Sequence, residues 1–162
     1  MDIKNLKEVM KDRDLDEESI FFASFIAGLN EFGILNQMVM KEAGKRSGMY
    51  MANCLKSCYP EKSVKNPVEL INFLNERLKI TTDFIVEDGK DELIVKIRTD
   101  KCRYCPKGVG GAELKCTICP FPGIIESFVN AICENKIKAI PISGKFLNKK
   151  EGFCVISFKK EK

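Results

Sequence analysis

The stretch that decides the organisation of this chain is Cys102-Arg-Tyr-Cys105-Pro-Lys-Gly-Val-Gly-Gly-Ala-Glu-Leu-Lys-Cys116-Thr-Ile-Cys119. It holds four of the eight cysteines as two CxxC pairs, with ten residues between the pairs. A CxxC turn lets two sulfurs converge on one ion, and a glycine-rich loop can bring a second pair back to complete a tetrahedron. The spacing therefore predicts a metal site made of Cys102, Cys105, Cys116 and Cys119.

Zinc is the metal expected first at this site, because closed sites of four thiolates at this spacing are typical of structural zinc. Iron or an iron–sulfur cluster is the runner-up, since these centres also use thiolates. Two disulfides or four free thiols are the remaining alternatives. Four thiolates leave no open coordination position, so the site is expected to be structural and no catalytic residue is assigned. The excess negative charge would be offset by nearby basic residues: Lys101, Arg103, Lys107 and Lys115.

Length and charge limit the classes of protein that fit the sequence. A chain of 162 residues with 44% hydrophobic residues predicts a single globular domain, with N-terminal helices in 1–60 and an α/β part in 61–162. The net charge is only +4 and acidic residues interrupt the basic ones, so nucleic acid is not an expected partner. Without an apolar leader or a membrane-spanning run, we expect a cytoplasmic protein that does not enter membranes.

The sequence contains no histidine. This absence excludes Ser/His and Cys/His nucleophilic schemes, zinc sites that contain histidine, and a histidine-ligated haem. The sequence also offers no GxGxxG motif after a strand, no P-loop and no obvious acid–base pair, so the interpretation leans away from an enzyme.

Hydrophobic periodicity predicts an α+β fold. Helices are expected at 3–11, at 20–29, from 34 to the stop at Tyr59-Pro60, after the Asn66 cap and from 124 onwards. Two hairpins are expected, one from strands 81–86 and 92–98 and one from strands 137–143 and 153–158. The prediction is an antiparallel sheet of two hairpins, packed with the N-terminal helices and one late helix and pinned by the metal.

Two features of the third helix carry predictions of their own. Gly44, Gly48 and Ala52 recur every four residues, which predicts a close approach by another helix. Cys54 and Cys58 are also four apart. They could share an ion, but the preferred interpretation is a pair of core thiols.

The order of elements and three short motifs resemble the vinyl-4-reductase domain family. The motifs are Ala43-Gly44 to Gly48 on the early helix, Cys119 to Gly123 with Ile124, Ile125 and Glu126, and Gly152-Phe153-Cys154-Val155-Ile156-Ser157-Phe158. Members of that family look like modules that bind small apolar or aromatic molecules, some of them as sensor domains. The fold is similar to that of Golgi transport-particle subunits and of haem-based nitric-oxide sensors. The resemblance implies a homodimer formed through the N-terminal helices.

The same resemblance implies a different set of thiolates. Zinc-containing sensors of the family draw ligands from the start of the late helix and from the final hairpin, which here means Cys116 or Cys119 together with Cys154. Residues 137–148 contain no cysteine, so the local four-cysteine site stays the preferred prediction. Cys154 is kept as a substitute ligand, or as a buried strand thiol.

Three functions remain open from the sequence. The preferred one is a sensor-type domain that binds a small apolar or aromatic ligand, with Phe121, Phe128 and Met49 as examples of candidate lining residues. The alternatives are a reductase-like enzyme that uses an iron–sulfur site and a dimeric scaffold protein.

Overall fold

Five helices and one antiparallel sheet make up the part of the chain that the computed structural model describes, residues 3–58, 66–109 and 118–161. In chain order the elements are α1 (Ile3–Arg13), α2 (Glu17–Glu31), α3 (Gln37–Cys58), α4 (Pro67–Leu78), β1 (Phe84–Asp88), β2 (Glu92–Arg98), α5 (Phe121–Ile132), β3 (Lys136–Ile140), β4 (Asn148–Lys150) and β5 (Phe153–Glu161). The predicted α+β class is confirmed for these residues.

The sheet has the strand order β1-β2-β5-β3, and β4 also pairs with β5. Leu93, Val95 and Ile97 are buried and alternate with half-buried residues along β2. The antiparallel register sets Ile97 opposite Cys154 on β5. One face of the sheet therefore belongs to the core, and that face ends at Cys154, beside the loop that follows β2.

Side-chain caps start two of the helices. Asp16 accepts a hydrogen bond from the Ser19 amide at 2.9 Å, and the Ser19 hydroxyl accepts one from the Asp16 amide at 3.0 Å. This reciprocal pair starts α2 earlier than the apolar run alone predicts. The predicted cap on α4 is confirmed, since the Asn66 side chain accepts from the Val68 amide at 2.8 Å.

The small-residue face of α3 packs against α5. A methyl group on Gly44 or Gly48 would clash with the backbone carbonyl oxygen of Pro120 or Ile124. The predicted close approach of another helix is therefore confirmed, and the partner is a helix of the same chain.

The contact is equally close from the side of α5. A methyl group on Gly123 would clash with the carbonyl oxygen of Lys41 on α3. Ala52 extends the contact face and is fully buried. Because Cys119 lies just before α5, the glycine contact also fixes the direction from which Cys119 approaches the sheet.

The sheet differs from the sequence prediction in its strand bounds and by one added strand: β3 ends at Ile140 and not at 143, and β5 continues to Glu161 and not to 158. Strand β1 begins at Phe84 because the Asn75 side chain holds the backbone of Thr81 through two hydrogen bonds of 3.2 Å. The short strand β4 was not predicted, because Asn148-Lys149-Lys150 has no apolar alternation. The β1–β2 hairpin is confirmed, and so is the antiparallel pairing of β3 with β5, but β4 lies between these two strands in the chain and forms the hairpin with β5.

The interpretation of Cys54 and Cys58 as core thiols is wrong. Both side chains are exposed, at the end of α3, and their sulfur atoms are 3.9 Å apart. None of the described helices combines the length and apolar character that crossing a membrane requires.

Candidate metal and ligand site

Four cysteines from three separate segments line one cavity of about 280 Å³. Cys102 and Cys105 lie in the loop after β2, Cys119 lies just before α5, and Cys154 lies on β5. Most of the remaining lining is apolar or basic, and it comprises Arg13, Ile97, Tyr104, Pro106, Lys107, Ile118, Phe121, Leu147 and Lys149, with Thr99 and Asp100.

Three hydrogen bonds, to α1 and to the C-terminal end of α4, hold the loop that carries the first cysteine pair. The Arg103 amide donates to the Ile80 carbonyl oxygen at 3.0 Å, and the Tyr104 hydroxyl donates to the Leu78 carbonyl oxygen at 2.8 Å. From α1, the Arg13 guanidinium donates to the Cys105 carbonyl oxygen at 2.9 Å. The loop is therefore fixed against α1 and the end of α4.

Ring contacts and a turn complete the positioning of this loop. The Tyr104 ring packs edge-on between Phe22 of α2, at 5.5 Å between ring centres, and Phe121 of α5, at 5.7 Å. After Cys105 the chain turns at Gly108, whose φ of +77° favours glycine, and the Val109 amide donates to the Pro106 carbonyl oxygen at 3.1 Å.

The turn before β5 brings Cys154 to the same cavity. Both the amide and the hydroxyl of Thr99 donate to the Gly152 carbonyl oxygen, at 3.0 and 2.9 Å. This contact holds the end of β2 against the turn between β4 and β5. As a result Cys154 lies close to the cysteine loop although it is distant in the chain.

The thiols of the cavity interact with one another and are shielded from water. Burial, together with the neighbouring Cys105 and Cys154 thiols, raises the pKa of Cys102 to about 12. Burial likewise raises the pKa of Cys154 to about 11 and the pKa of Cys119 well above its usual value. Without a metal these groups are protonated at neutral pH, and a bound cation would have to displace their protons.

Basic side chains surround the sulfurs, as a set of metal-bound thiolates would need. Lys107 and Lys149 both lower the pKa of Cys154, and Arg13 lowers that of Cys102. Of the basic residues named from the sequence, Lys107 therefore lies at the cavity. Arg103 is instead paired with Asp16, and Lys101 donates to the Asp12 carbonyl oxygen at 3.0 Å.

The predicted metal site is only partly covered by the structure. Cys102, Cys105 and Cys119 lie around the cavity as free thiols, so they form no disulfide among the described cysteines, whereas Cys116 and Lys115 lie outside the described residues. Within residues 3–58, 66–109 and 118–161, no three His, Cys, Asp or Glu side chains are arranged to hold a metal ion. A metal would therefore need Cys116, or a rotation of the described thiols into the cavity.

The residues that the sequence suggested as the lining of a ligand pocket lie in three different environments. Phe121 lines the cysteine cavity, Phe128 is buried in the main core, and Met49 is exposed. The sequence pattern could not separate these residues, since all three have an apolar helical spacing.

Sequence reasoning missed a buried ionic cluster between α3 and α5. The Glu126 carboxylate lies 3.0 Å from the Lys45 ammonium and 3.5 Å from that of Lys41, and it accepts the Ala139 amide at 2.8 Å. Lys41 is buried, with its ammonium 4.5 Å from the centre of the Phe146 ring. The hydrogen bond with Glu126 raises the pKa of Lys45. All the described hydrogen-bonding atoms of Glu126 thus serve the packing of α5 on α3 and β3.

Comparison with known proteins places the chain in a family. The sequence model of the MJ0207 family matches residues 33–160, a range that contains all eight cysteines. The uncharacterized protein MJ1342 of Methanocaldococcus jannaschii is 34% identical over 108 residues, which are 66% of this chain and 90% of that protein. The uncharacterized protein MJ0207 of the same organism is 31% identical over 131 residues, 78% of this chain and 74% of that protein.

A solved structure described as "Modulating Heme Redox Potential Through Protein-Induced Porphyrin Distortion" aligns with 83% of this chain and 69% of its own. The sequence identity is 13% and the TM-score is 0.41, so this likeness carries no argument about the ligand. None of these matches bears the vinyl-4-reductase name, and that resemblance stays a prediction.

Proposed function

We propose that this chain, which belongs to the MJ0207 family, is a sensor-type domain that binds a small apolar or aromatic molecule beside a metal held by cysteines. The observation that carries the proposal is the convergence of Cys102, Cys105, Cys119 and Cys154 on one cavity with apolar walls. Burial raises the pKa of Cys102, Cys119 and Cys154, so these thiols are costly to ionise unless a cation takes the place of their protons.

We propose four thiolate ligands, of which three are assigned and the fourth is one of two cysteines. Cys102, Cys105 and Cys119 belong to it in either case. The fourth ligand is Cys116, which the CxxC spacing favours, or Cys154, whose position at the cavity supports it. The donor chemistry fits zinc first and an iron or iron–sulfur centre second.

The apolar part of the cavity is the proposed ligand pocket. Ile97, Ile118, Phe121 and Leu147 offer aliphatic and aromatic contacts, and the ring of Tyr104 adds a further face. A volume of about 280 Å³ suits a molecule of roughly the size of a substituted benzene ring. The resemblance to vinyl-4-reductase domains supports the same class of ligand.

Elemental analysis for zinc and iron in anaerobically purified protein tests the cavity metal, with Cys105→Ser and Cys119→Ser as variants and Cys58→Ser, which lies outside the cavity, as the matched control. We expect about one bound metal centre per chain in the unchanged protein and in the control, and its loss in both cavity variants. An ultraviolet–visible spectrum separates colourless zinc thiolate from a brown iron–sulfur centre.

Native mass spectrometry tests for a small molecule that copurifies with the chain.

Association into a homodimer through α2 is part of the proposal. Phe21, Phe25 and Phe32 are 70%, 55% and 79% exposed, and the rings of Phe21 and Phe25 stack at 6.0 Å. With the exposed Ile34, Met38 and Tyr50, the N-terminal helices leave roughly 800 Å² of apolar side chain uncovered, at ~200 Å² per large residue. That area is about what one partner contributes to a standard interface.

Light scattering coupled to size-exclusion chromatography measures this association. Phe25→Asp should convert the dimer to a monomer, whereas Phe153→Asp, which changes a half-buried ring on β5 instead, should not. A monomeric unchanged protein would contradict the dimer and leave the metal proposal intact.

A further inference from the structure

The last turns of α3 carry a second pair of cysteines that the cavity does not use. Cys54 and Cys58 are one helical turn apart, both are exposed, and their sulfur atoms are 3.9 Å apart. The cavity and the groove at Cys54 have no lining residue in common. The pair is therefore a separate site.

The separation of the two sulfurs matches that of two thiolates on one metal ion. With metal–sulfur bonds of about 2.3 Å, two ligands lie about 3.8 Å apart at a tetrahedral ion and about 4.0 Å apart at a trigonal one. The measured 3.9 Å lies between these values. Two thiols on one helix face would thus bind a shared ion without a change of the backbone.

We propose that Cys54 and Cys58 bind a soft, thiophilic cation, Cu(I), with the Met51 thioether as a third sulfur ligand. Met51 precedes Cys54 by one helical turn, and both residues line the same groove of about 270 Å³ between α3 and α4. Thiolate and thioether ligands select Cu(I) over harder divalent ions.

The lining of the groove also suits the charge and the sulfur ligands of a Cu(I) complex. Binding releases one proton from each thiol, so Cu(I) with two thiolates carries one negative charge. Arg77 lines the groove and can offset that charge. The remaining lining is apolar and offers no side-chain oxygen or nitrogen ligand that would compete with sulfur: Leu55, Phe73, Leu74, Leu78 and Phe128.

Competition with the chromogenic Cu(I) chelator bicinchoninate under anaerobic conditions tests the site in the full chain. Cys54→Ser combined with Cys58→Ser should remove one equivalent of tightly bound Cu(I) and keep the metal content of the cavity. The matched control, Cys105→Ser combined with Cys119→Ser, should keep that equivalent. The cavity thiols can also bind Cu(I), so the result is the loss of one equivalent in the Cys54/Cys58 double variant relative to the unchanged protein, whether or not the cavity holds a metal.

A second variant isolates the thioether and does not depend on the thiols. Met51→Leu keeps the volume of the side chain and should weaken Cu(I) binding without removing the equivalent. Circular dichroism verifies that each variant is folded. An unchanged number and affinity of Cu(I) ions in the Cys54/Cys58 double variant would overturn the proposal, and an unchanged affinity in Met51→Leu would remove Met51 from the ligand set.

Discussion

The glycine contact between α3 and α5 and the cysteine cavity beside it differ in how tightly the chain specifies them. At the contact, Gly44, Gly48 and Gly123 let two backbones approach so closely that no other residue fits. At the cavity, four thiols surround about 280 Å³ of space, and in the described part of the chain no three of them are arranged to hold an ion. The rigid contact positions Cys119, whereas the cavity keeps room for an occupant.

The largest expected effect is at the glycine contact between α3 and α5. Gly123→Ala should destabilise the fold by about 3 kcal/mol or more, because the added methyl group meets the Lys41 backbone, which cannot move aside. Urea unfolding measures the change. In the matched control, Gly28→Ala on α2, the methyl group meets nothing within 4 Å, and we expect a gain of up to about 1 kcal/mol. Equal costs in the two variants would show that the contact is looser than described.

The ionic cluster on the same two helices should give the next largest effect. Glu126→Gln keeps an oxygen for the Ala139 amide but leaves buried Lys41 without a counter-charge, which should cost about 3 kcal/mol of unfolding free energy. Lys45→Met is the control, because Lys45 is 32% exposed and its loss should cost about 1 kcal/mol or less. Glu126→Gln combined with Lys41→Met should recover much of the loss, and a failure to do so would argue that the charge of Lys41 is not the cause.

The identity of the fourth metal ligand affects metal affinity and should have a smaller effect on stability. Whichever of Cys116→Ser and Cys154→Ser removes a ligand should lower metal affinity by more than the roughly 10- to 100-fold that loss of an outer partner costs. Competition with a chromogenic chelator measures the affinity of each variant. A strong effect in both variants would indicate that a larger centre uses all five thiols.

The smallest expected effect is the acid dependence of the α2 cap. Hydrogen bonds from the Ser19 amide and hydroxyl, with a smaller contribution from Arg103, hold the pKa of Asp16 at about 2, below the ordinary 3.8. The cap therefore stabilises the fold fully above about pH 4, and this contribution is lost as the pH falls from 3.8 towards 2. Its size is at most about 1 kcal/mol, because the Asp16 side chain is 44% exposed and solvent screens it.

Urea unfolding at several pH values checks this prediction against Asp16→Asn, which keeps a capping oxygen but cannot titrate. The unfolding free energies of the two proteins should differ above pH 4 and converge near pH 2. A constant difference over that range would assign the effect of the substitution to something other than the charge.

The sequence predicted features whose cause is local. The glycine spacing on α3, the Asn66 cap and the β1–β2 hairpin follow from residues within a few positions of each other, and the structure confirms them. The approach of Cys154 to the cysteine loop follows from the register of β2 on β5, which no local pattern contains. The pairing of Lys41 with Glu126 likewise depends on how two distant helices pack.

The exposed cysteines of α3 show the opposite error. Cys54 and Cys58 are four residues apart, the spacing of a buried helix face. However, α5 covers the face of α3 that carries Gly44, Gly48 and Ala52, and the two cysteines are exposed. Which side of a helix is buried depends on its partner, and a pattern with two candidate faces does not decide between them.

X-ray absorption at the metal edge of anaerobically purified protein shows directly whether the cavity thiolates surround one metal centre. For zinc, we expect four sulfur neighbours at about 2.3 Å and a loss of the signal in Cys119→Ser. A metal-free protein, or a metal coordinated mainly by oxygen and nitrogen, would contradict this expectation.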